Sequence, residues 1–388
     1  FNRTFESVLR VDPNGACASF SIKQDSIAFL PFVKHDILDD FAILQQKQQQ
    51  NGGNGLPQLY LPSFILPSKA LHESISNIID FCFLYEYREP TVAIIYEPVR
   101  TWAGTIPLHK DTVRYLVLSL DLQQRSSTAI VSAQSLPYDV RKLVPVRDPI
   151  GGSLLVGVNE LIHIDSQGRQ HGVSTNAYSS LVTELQLFDQ KDLNITLDGC
   201  QITHIPGVED EMLLITIQGS IFSLKFELES RKVQSIKLKA LDNNDLKVAT
   251  PSAVATVGDR HIFIGSKTSD SKFIQWKRRG EKMADDTEKL AITSSKPKPV
   301  ESYGDELDDI YGDDDGDSGT KVSSSTSLGG QPIIYSVHDT LKCYGPINDL
   351  VVGRARDTKK LNVVAAAGYG SDMSLAIFNQ RIYPAKHL

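Results

Sequence analysis

The sequence predicts an all-β fold assembled from repeated antiparallel units, of the kind that form the blades of a propeller. Three observations carry this. Short β-branched and aromatic runs bounded by Gly, Asn, Asp and Pro recur from one end of the 388 residues to the other. Two stretches share one layout: His261-Ile262-Phe263-Ile264-Gly265-Ser266 passes through Asp270 and Ser271 into Phe273-Ile274-Gln275-Trp276. Likewise Val363-Val364-Ala365-Ala366-Ala367-Gly368 passes through Gly370, Ser371 and Asp372 into Ser374-Leu375-Ala376-Ile377-Phe378. No segment shows three convincing helical turns, and the βαβ alternation of a nucleotide-binding sheet is missing.

In chain order, residues 16–20 and 27–32 are strands joined by Lys23-Gln24-Asp25. Residues 74–85 have some helical spacing, but Phe81-Cys82-Phe83-Leu84-Tyr85 reads better as an incoming strand. Residues 91–96, 113–120 and 128–132 follow as strands, and 153–158 pairs with 161–165 around Asn159-Glu160. Residues 212–217 and 220–226 flank Gln218-Gly219 as a hairpin, because Gly supplies the positive φ that a tight reversal needs. Residues 253–257 and 261–264 repeat it around Gly258-Asp259. Ile94-Ile95-Tyr96 does not alternate, as expected of an inner strand covered on both faces by neighbouring blades.

Two segments lack side chains to bury: a glutamine- and glycine-rich loop within about 38–58, and the stretch from about 281 to 330. Both are expected to be disordered. Between Glu301 and Thr320 stand nine carboxylates and no Lys or Arg, so the net charge of −7 overstates the charge of the remainder. Within that tract Tyr303, Leu307, Ile310 and Tyr311 form a small apolar patch, read as part of a solubilising linker or as a short docking motif. The apolar fraction of 41% is ample for a core. Cys17, Cys82, Cys200 and Cys343 are too dispersed for a zinc finger or a disulfide framework and fit a reducing compartment. The chain opens on Phe1 rather than Met and is expected to be part of a longer one. No apolar run approaches the length of a membrane span.

The residues specify no catalytic group, metal site or cofactor site. Gly151-Gly152-Ser153 lacks the Lys-Ser/Thr end of a phosphate loop and is expected to be a structural turn. The nine histidines include no HxH or HExxH, and His163, His204 and His261 are expected to be strand residues. Asp308, Asp309, Asp313, Asp314 and Asp315 miss the spacing of a Ca²⁺ loop. Trp276-Lys277-Arg278-Arg279 joins an aromatic ring to three cations and is the candidate contact for RNA or a partner, against the plainer reading of a solvated strand end.

The chain closely resembles the largest subunit of the cleavage and polyadenylation specificity factor, which in yeasts is the large subunit of cleavage factor two. The resemblance is carried in order by Arg10-Val11-Asp12-Pro13-Asn14-Gly15-Ala16-Cys17-Ala18, Tyr87-Arg88-Glu89-Pro90-Thr91, Glu97-Pro98-Val99-Arg100-Thr101-Trp102-Ala103-Gly104 and Ser135-Leu136-Pro137-Tyr138-Asp139. Asn194-Ile195-Thr196-Leu197-Asp198 and Asp308-Asp309-Ile310-Tyr311-Gly312 extend it. Pro149-Ile150-Gly151-Gly152 with Asn159-Glu160-Leu161 is shared more widely, with the splicing-factor 3B propeller subunit and the large damaged-DNA-binding subunit. The resemblance implies a WD40-like, seven-bladed β-propeller: residues 1–280 as most of the first propeller, 281–330 as an acidic linker, and 331–388 as the opening strands of a second. The whole would be a three-propeller protein.

It further implies a non-enzymatic nuclear scaffold that holds a WD-repeat subunit and a CCCH zinc-finger subunit while these recognise the polyadenylation signal in pre-mRNA. The endonuclease and poly(A) polymerase would join indirectly. The alternatives are a propeller that binds RNA directly, or the scaffold of a related splicing or DNA-repair complex. Trp102 and Tyr87 are expected as core or anchor aromatics.

Overall fold

The computed structural model describes residues 7–22, 25–33, 60–85, 87–101, 104–229, 232–241, 244–278, 333–343, 345, 347–354, 361–367 and 374–379. It divides into two compact units, residues 1–275 with 336–388, and residues 276–335. The expected glutamine loop, the acidic tract 281–330 and Trp102 lie outside the described residues.

Among the described residues six sheets follow one another along the chain. The first runs β1 (Leu9–Val11), β2 (Cys17–Ile22), β3 (Ser26–Pro31), β4 (Phe64–Pro67). In the second the order is β5 (Ile78–Phe83), β6 (Thr91–Tyr96), β7 (Val113–Asp121), β8 (Ser126–Leu136). The third takes β9 (Lys142–Pro145), β10 (Ser153–Val156), β11 (Glu160–Ile164) and β12 (Gln170–Ser174), with β13 (Phe188–Asp189) added in parallel. The fourth holds β14 (Gln201–His204), β15 (Glu211–Ile215), β16 (Ile221–Glu229) and β17 (Lys232–Ala240). Nearest-neighbour antiparallel order lets each sheet form from local hairpins, as the Gly219 turn between β15 and β16 illustrates. A Cβ on Gly219 would lie 2.8 Å from the Val248 backbone, so φ (+89°) and close approach both demand glycine.

The cores lie between consecutive sheets. Every residue of β6 is buried, and its period of two divides it between two partners. Val92, Ile94 and Tyr96 pack with Ile27 and Phe29 of the first sheet. Ala93 and Ile95 pack with Leu143, Leu155 and Ile162 of the third. Leu154, Val156 and Leu161 in turn meet Met212, Leu214 and Phe222 of the fourth. This two-sided burial is why Ile94-Ile95-Tyr96 carries no polar alternation.

Polar ties join the inner strands as well. A bulge between Ile78 and Asp80 in β5 breaks the register with β6. The Asp80 carboxylate, 5% exposed, accepts from Arg10 Nη2 of β1 (3.2 Å), from the Leu143 N–H of β9 (2.8 Å) and from the Phe81 N–H (2.8 Å). Arg10 Nε also donates to the Phe81 carbonyl. Next to Leu143, Lys142 Nζ donates to the Cys200 carbonyl and to Gln201 Oε1 at the start of β14. Burial pushes the Asp80 carboxyl upward, and Arg10 and the two amides oppose that. Four successive sheets are thereby fastened along their inner strands.

The fifth sheet runs β18 (Pro251–Val257), β19 (His261–Ser266), β20 (Ser271–Arg278) and β21 (Ile333–Leu341). This differs from the expected division at 331. Residues expected to open a second propeller supply the fourth strand of the sheet that β18–β20 begin. His338 packs edge-on against His261 and Phe273, and Asp270 accepts from Lys342 Nζ (2.6 Å) and the Cys343 N–H (3.0 Å). Composition marks the acidic tract as a boundary, but loop-closure entropy rises only slowly with length, so a long insert can sit between adjacent strands of one sheet. The sixth sheet, β22 (Ile347–Arg354), β23 (Leu361–Ala367) and β24 (Ser374–Asn379), contains the second of the two matching strand units.

Replacing Asp80 by Ala orphans two buried amides and removes the ion-pair partner of Arg10, and should lower unfolding free energy by about 3–5 kcal/mol. Urea denaturation measures this. A loss below about 1 kcal/mol would show that the inner-strand tie is dispensable.

Candidate interaction surface

The structure separates the four residues of the expected contact. On β20, Ile274 and Trp276 are buried, Lys277 is half-buried and Arg278 is exposed, while Arg279 lies outside the described residues. Trp276 is 5% exposed, so its ring is a core side chain and offers no face on which a base could stack. What remains of the expected constellation is a pair of cations at a strand end. Tyr87 packs against the core between the second and third sheets, as expected of a core aromatic.

Gly151-Gly152 is a structural turn: both residues have positive φ, and a Cβ on Gly152 would lie 2.2 Å from the Ile164 carbonyl oxygen. His163 of β11 is fully buried, contacts the Gly151 carbonyl through Nε2 (2.8 Å) and meets Phe226 edge-on. Burial holds its pKa down to about 4, and that of His204, bonded to the Pro145 carbonyl, also to about 4. Both are neutral strand donors at physiological pH. Burial pushes the thiols of Cys17 and Cys200 up to about 12 and about 11, which removes thiolate character. Among the described residues no group of three or more His, Cys, Asp or Glu is placed to hold a metal ion, and no helix is long and apolar enough to cross a membrane.

Two sequence motifs meet in the interior. Asn159 Nδ2 donates to Asp139 Oδ2 (2.8 Å), and Asn176 Nδ2 donates to Asn159 Oδ1 and to the Ile195 carbonyl. Thr175 Oγ1 bonds the carbonyls of Asn159 and Ile195. Beside them Glu160 is fully buried with no donor to either oxygen. Burial, then the nearby Asp139, pushes its pKa up to about 10, so Glu160 is held protonated. Gly157 leaves room for it: a Cβ there would lie 1.9 Å from Glu160 Oε1.

Two open cavities lie beside the β6–β7 connection, residues 97–112. Glu97, 6% exposed, accepts from the Thr101 N–H (3.2 Å) and the Thr112 hydroxyl (2.7 Å). At the other end Asp111 accepts from the Thr183 hydroxyl (2.5 Å) and the Glu184 N–H (3.2 Å). Asp111 and Ser135 separate the two cavities, of about 440 Å³ and about 180 Å³. Residues 97–104 stand in the sequence as a motif of the family resemblance, with Trp102 expected as a core or anchor aromatic. The sequence signal for the bracing is the two acidic residues, Glu97 and Asp111, that flank this long, Thr-rich connection.

A family model described as the RSE1/DDB1/CPSF1 first beta-propeller matches residues 4–303. The chain belongs to this family. The sheets within that match are accordingly blades of a WD40-like propeller. The first-propeller family is joined by closer relatives: the cft1 protein of Schizosaccharomyces pombe is 34% identical over 390 residues, covering 97% of this chain and 26% of that protein. The CFT1 protein of Yarrowia lipolytica is 32% identical, with 94% and 26% covered, and the cft1 protein of Aspergillus fumigatus is 31% identical, with 97% and 30% covered. The chain is thus homologous to fungal cft1 proteins and spans between about a quarter and a third of their length. In the likeness to cft1 the segment beyond the first-propeller match is included.

The Glu160 proton makes stability depend on pH in a defined direction. The unfolded carboxyl ionises near 4.5, whereas the folded one stays protonated up to about 10, so stability is highest below 4.5 and declines as pH rises through that window. Glu160→Gln keeps a donor and removes the titration. Its unfolding free energy relative to the native chain should rise by on the order of 4 kcal/mol between pH 5 and pH 8 in paired urea melts, and a difference that stays constant with pH would refute the buried proton.

Proposed function

We propose that this chain is part of a non-catalytic scaffold in the nuclear machinery that cleaves and polyadenylates pre-mRNA 3′ ends. The observation that carries the reading is likeness to cft1 proteins along nearly the whole chain. The motifs that favour the polyadenylation member of the family, Glu89-Pro90-Thr91 joined to Thr101-Trp102-Ala103-Gly104, support it. A scaffold works by shape: a rigid, prefolded surface lowers the entropic cost of bringing several subunits together. The subunits it would hold are a WD-repeat protein and a CCCH zinc-finger protein that recognise the polyadenylation signal, with the endonuclease and poly(A) polymerase recruited indirectly. Pre-mRNA would be met mostly through those partners. The sheet of β22–β24 would open a second propeller in the longer protein.

Affinity purification of the full-length protein from nuclear extract should recover the WD-repeat and zinc-finger subunits. Recovery of splicing-factor 3B or cullin components in their place would overturn the assignment.

A second reading, direct RNA contact, rests on the cations at the end of β20. Crosslinking to signal-containing RNA should weaken with added salt and fall in a Lys277→Ala/Arg278→Ala/Arg279→Ala variant. Trp276→Ala should instead lower the melting temperature, as loss of a buried ring does. RNA binding indifferent to salt and to the triple substitution would exclude this contact.

A further inference from the structure

The β6–β7 connection presents apolar side chains on a braced frame. Val99 and Leu108 are 75% and 78% exposed, more than any other large apolar side chain among the described residues. Exposed aliphatics on a loop held by internal hydrogen bonds mark a contact surface, since the ordering cost is already met in the free protein. Besides the bonds to Glu97 and Asp111, the Thr101 hydroxyl bonds the His109 carbonyl (3.3 Å) and the His109 N–H bonds the Thr105 carbonyl (2.9 Å). Leu108 borders the larger cavity and Val99 the smaller, with Ser135 of β8 lining both.

β8 is the edge of its sheet, and its eleven residues include no ionisable side chain and no proline. Two other outer strands are guarded: β17 carries Lys232, Lys237 and Lys239, and β4 is four residues long and ends in Pro67. At the cavity β8 bulges, leaving Gln134 and Ser135 outside the β7 register, and Ser135 takes a φ of +57° that a non-glycine residue adopts only at a cost. The bulge turns the strand end toward the groove.

We propose that this groove docks an extended peptide segment of a partner protein, which adds to the free edge of β8 at Gln134 and Ser135 and lays apolar side chains against Val99 and Leu108. Edge addition supplies main-chain hydrogen bonds, and the cavity of about 440 Å³ takes one side chain for specificity. The charge pattern selects a peptide over a nucleic acid. The cavity linings set Lys110 and Arg114 against Asp111 and Glu184, so the groove has no excess positive charge for a phosphodiester backbone. The inference leans on the scaffold reading only for where the peptide comes from.

The test selects a displayed random dodecapeptide library on the full-length protein and compares binding with a Val99→Asp/Leu108→Asp variant, whose unchanged melting temperature is checked first. The expected result is a set of peptides with apolar residues at alternate positions that bind the variant about tenfold or more weakly. Those peptides should also slow amide exchange at Gln134 and Ser135. Absence of any variant-sensitive peptide would overturn the proposal. So would groove-dependent, salt-sensitive binding of an RNA oligomer in place of peptide, or self-association abolished by the variant. Because the selection uses no subunit of the processing machinery, its outcome stands apart from that of the affinity purification.

Discussion

The structure depends on one buried carboxylate. Hydrophobic burial alone would let neighbouring blades slide, because aliphatic surfaces of Val, Ile and Leu accept many relative positions at similar energy. Asp80 removes that freedom. Its oxygens meet a side chain from β1 and a backbone N–H from β9, so the inner strands of three successive sheets share one set of hydrogen bonds. Lys142, adjacent to Leu143, carries the same logic to the fourth sheet through Cys200 and Gln201. The geometry is directional where the core is not, and that is what fixes the register between blades.

The cluster around Asp139, Asn159 and Glu160 plays a related part in the third sheet, at the end where β9 begins. It joins the turn before β9 to the β10–β11 turn and, through Asn176 and Thr175, to the Ile195 segment. Backbone groups that no strand pairs are satisfied there by side chains, which is the condition for burying irregular chain at all. A protonated Glu160 resolves the conflict of two acids in one apolar pocket without a cation. The absence of a Cβ at Gly157 is part of the same arrangement.

Much of the fold was legible because strand pairing is local: β10–β11, β15–β16 and β19–β20 each join runs that lie next to one another in sequence. Two-sided burial of β6 was legible for a different reason, the loss of alternation in Ile94-Ile95-Tyr96. The placement of β21 was not legible. Its partner strand precedes the acidic tract, and composition records where a chain lacks a core, not which strands it reunites. Trp276 beside Lys277 and Arg278 looked like a surface constellation, but adjacent residues on a strand point to opposite faces, and this strand turns the ring inward. The β6–β7 surface was visible only as an unassigned motif, since the exposure of Val99 and Leu108 is a property of the folded loop.

The position of the acidic tract inside the fifth blade has a consequence for biosynthesis. β20 is complete at Arg278, but its neighbour β21 begins only at Ile333. At a translation rate of about 5–20 residues per second, the ribosome needs roughly 3–10 s to deliver the intervening chain. Throughout that interval the edge of β20 is without the strand that closes its sheet, and an open edge pairs with whatever strand arrives. The chain that emerges during the interval is rich in Ser, Gly, Asp, Glu and Lys and contains few of the β-branched and aromatic residues from which a competing strand is built. The composition of the insert thus acts as a chaperone in time, keeping the edge vacant for the strand that belongs there.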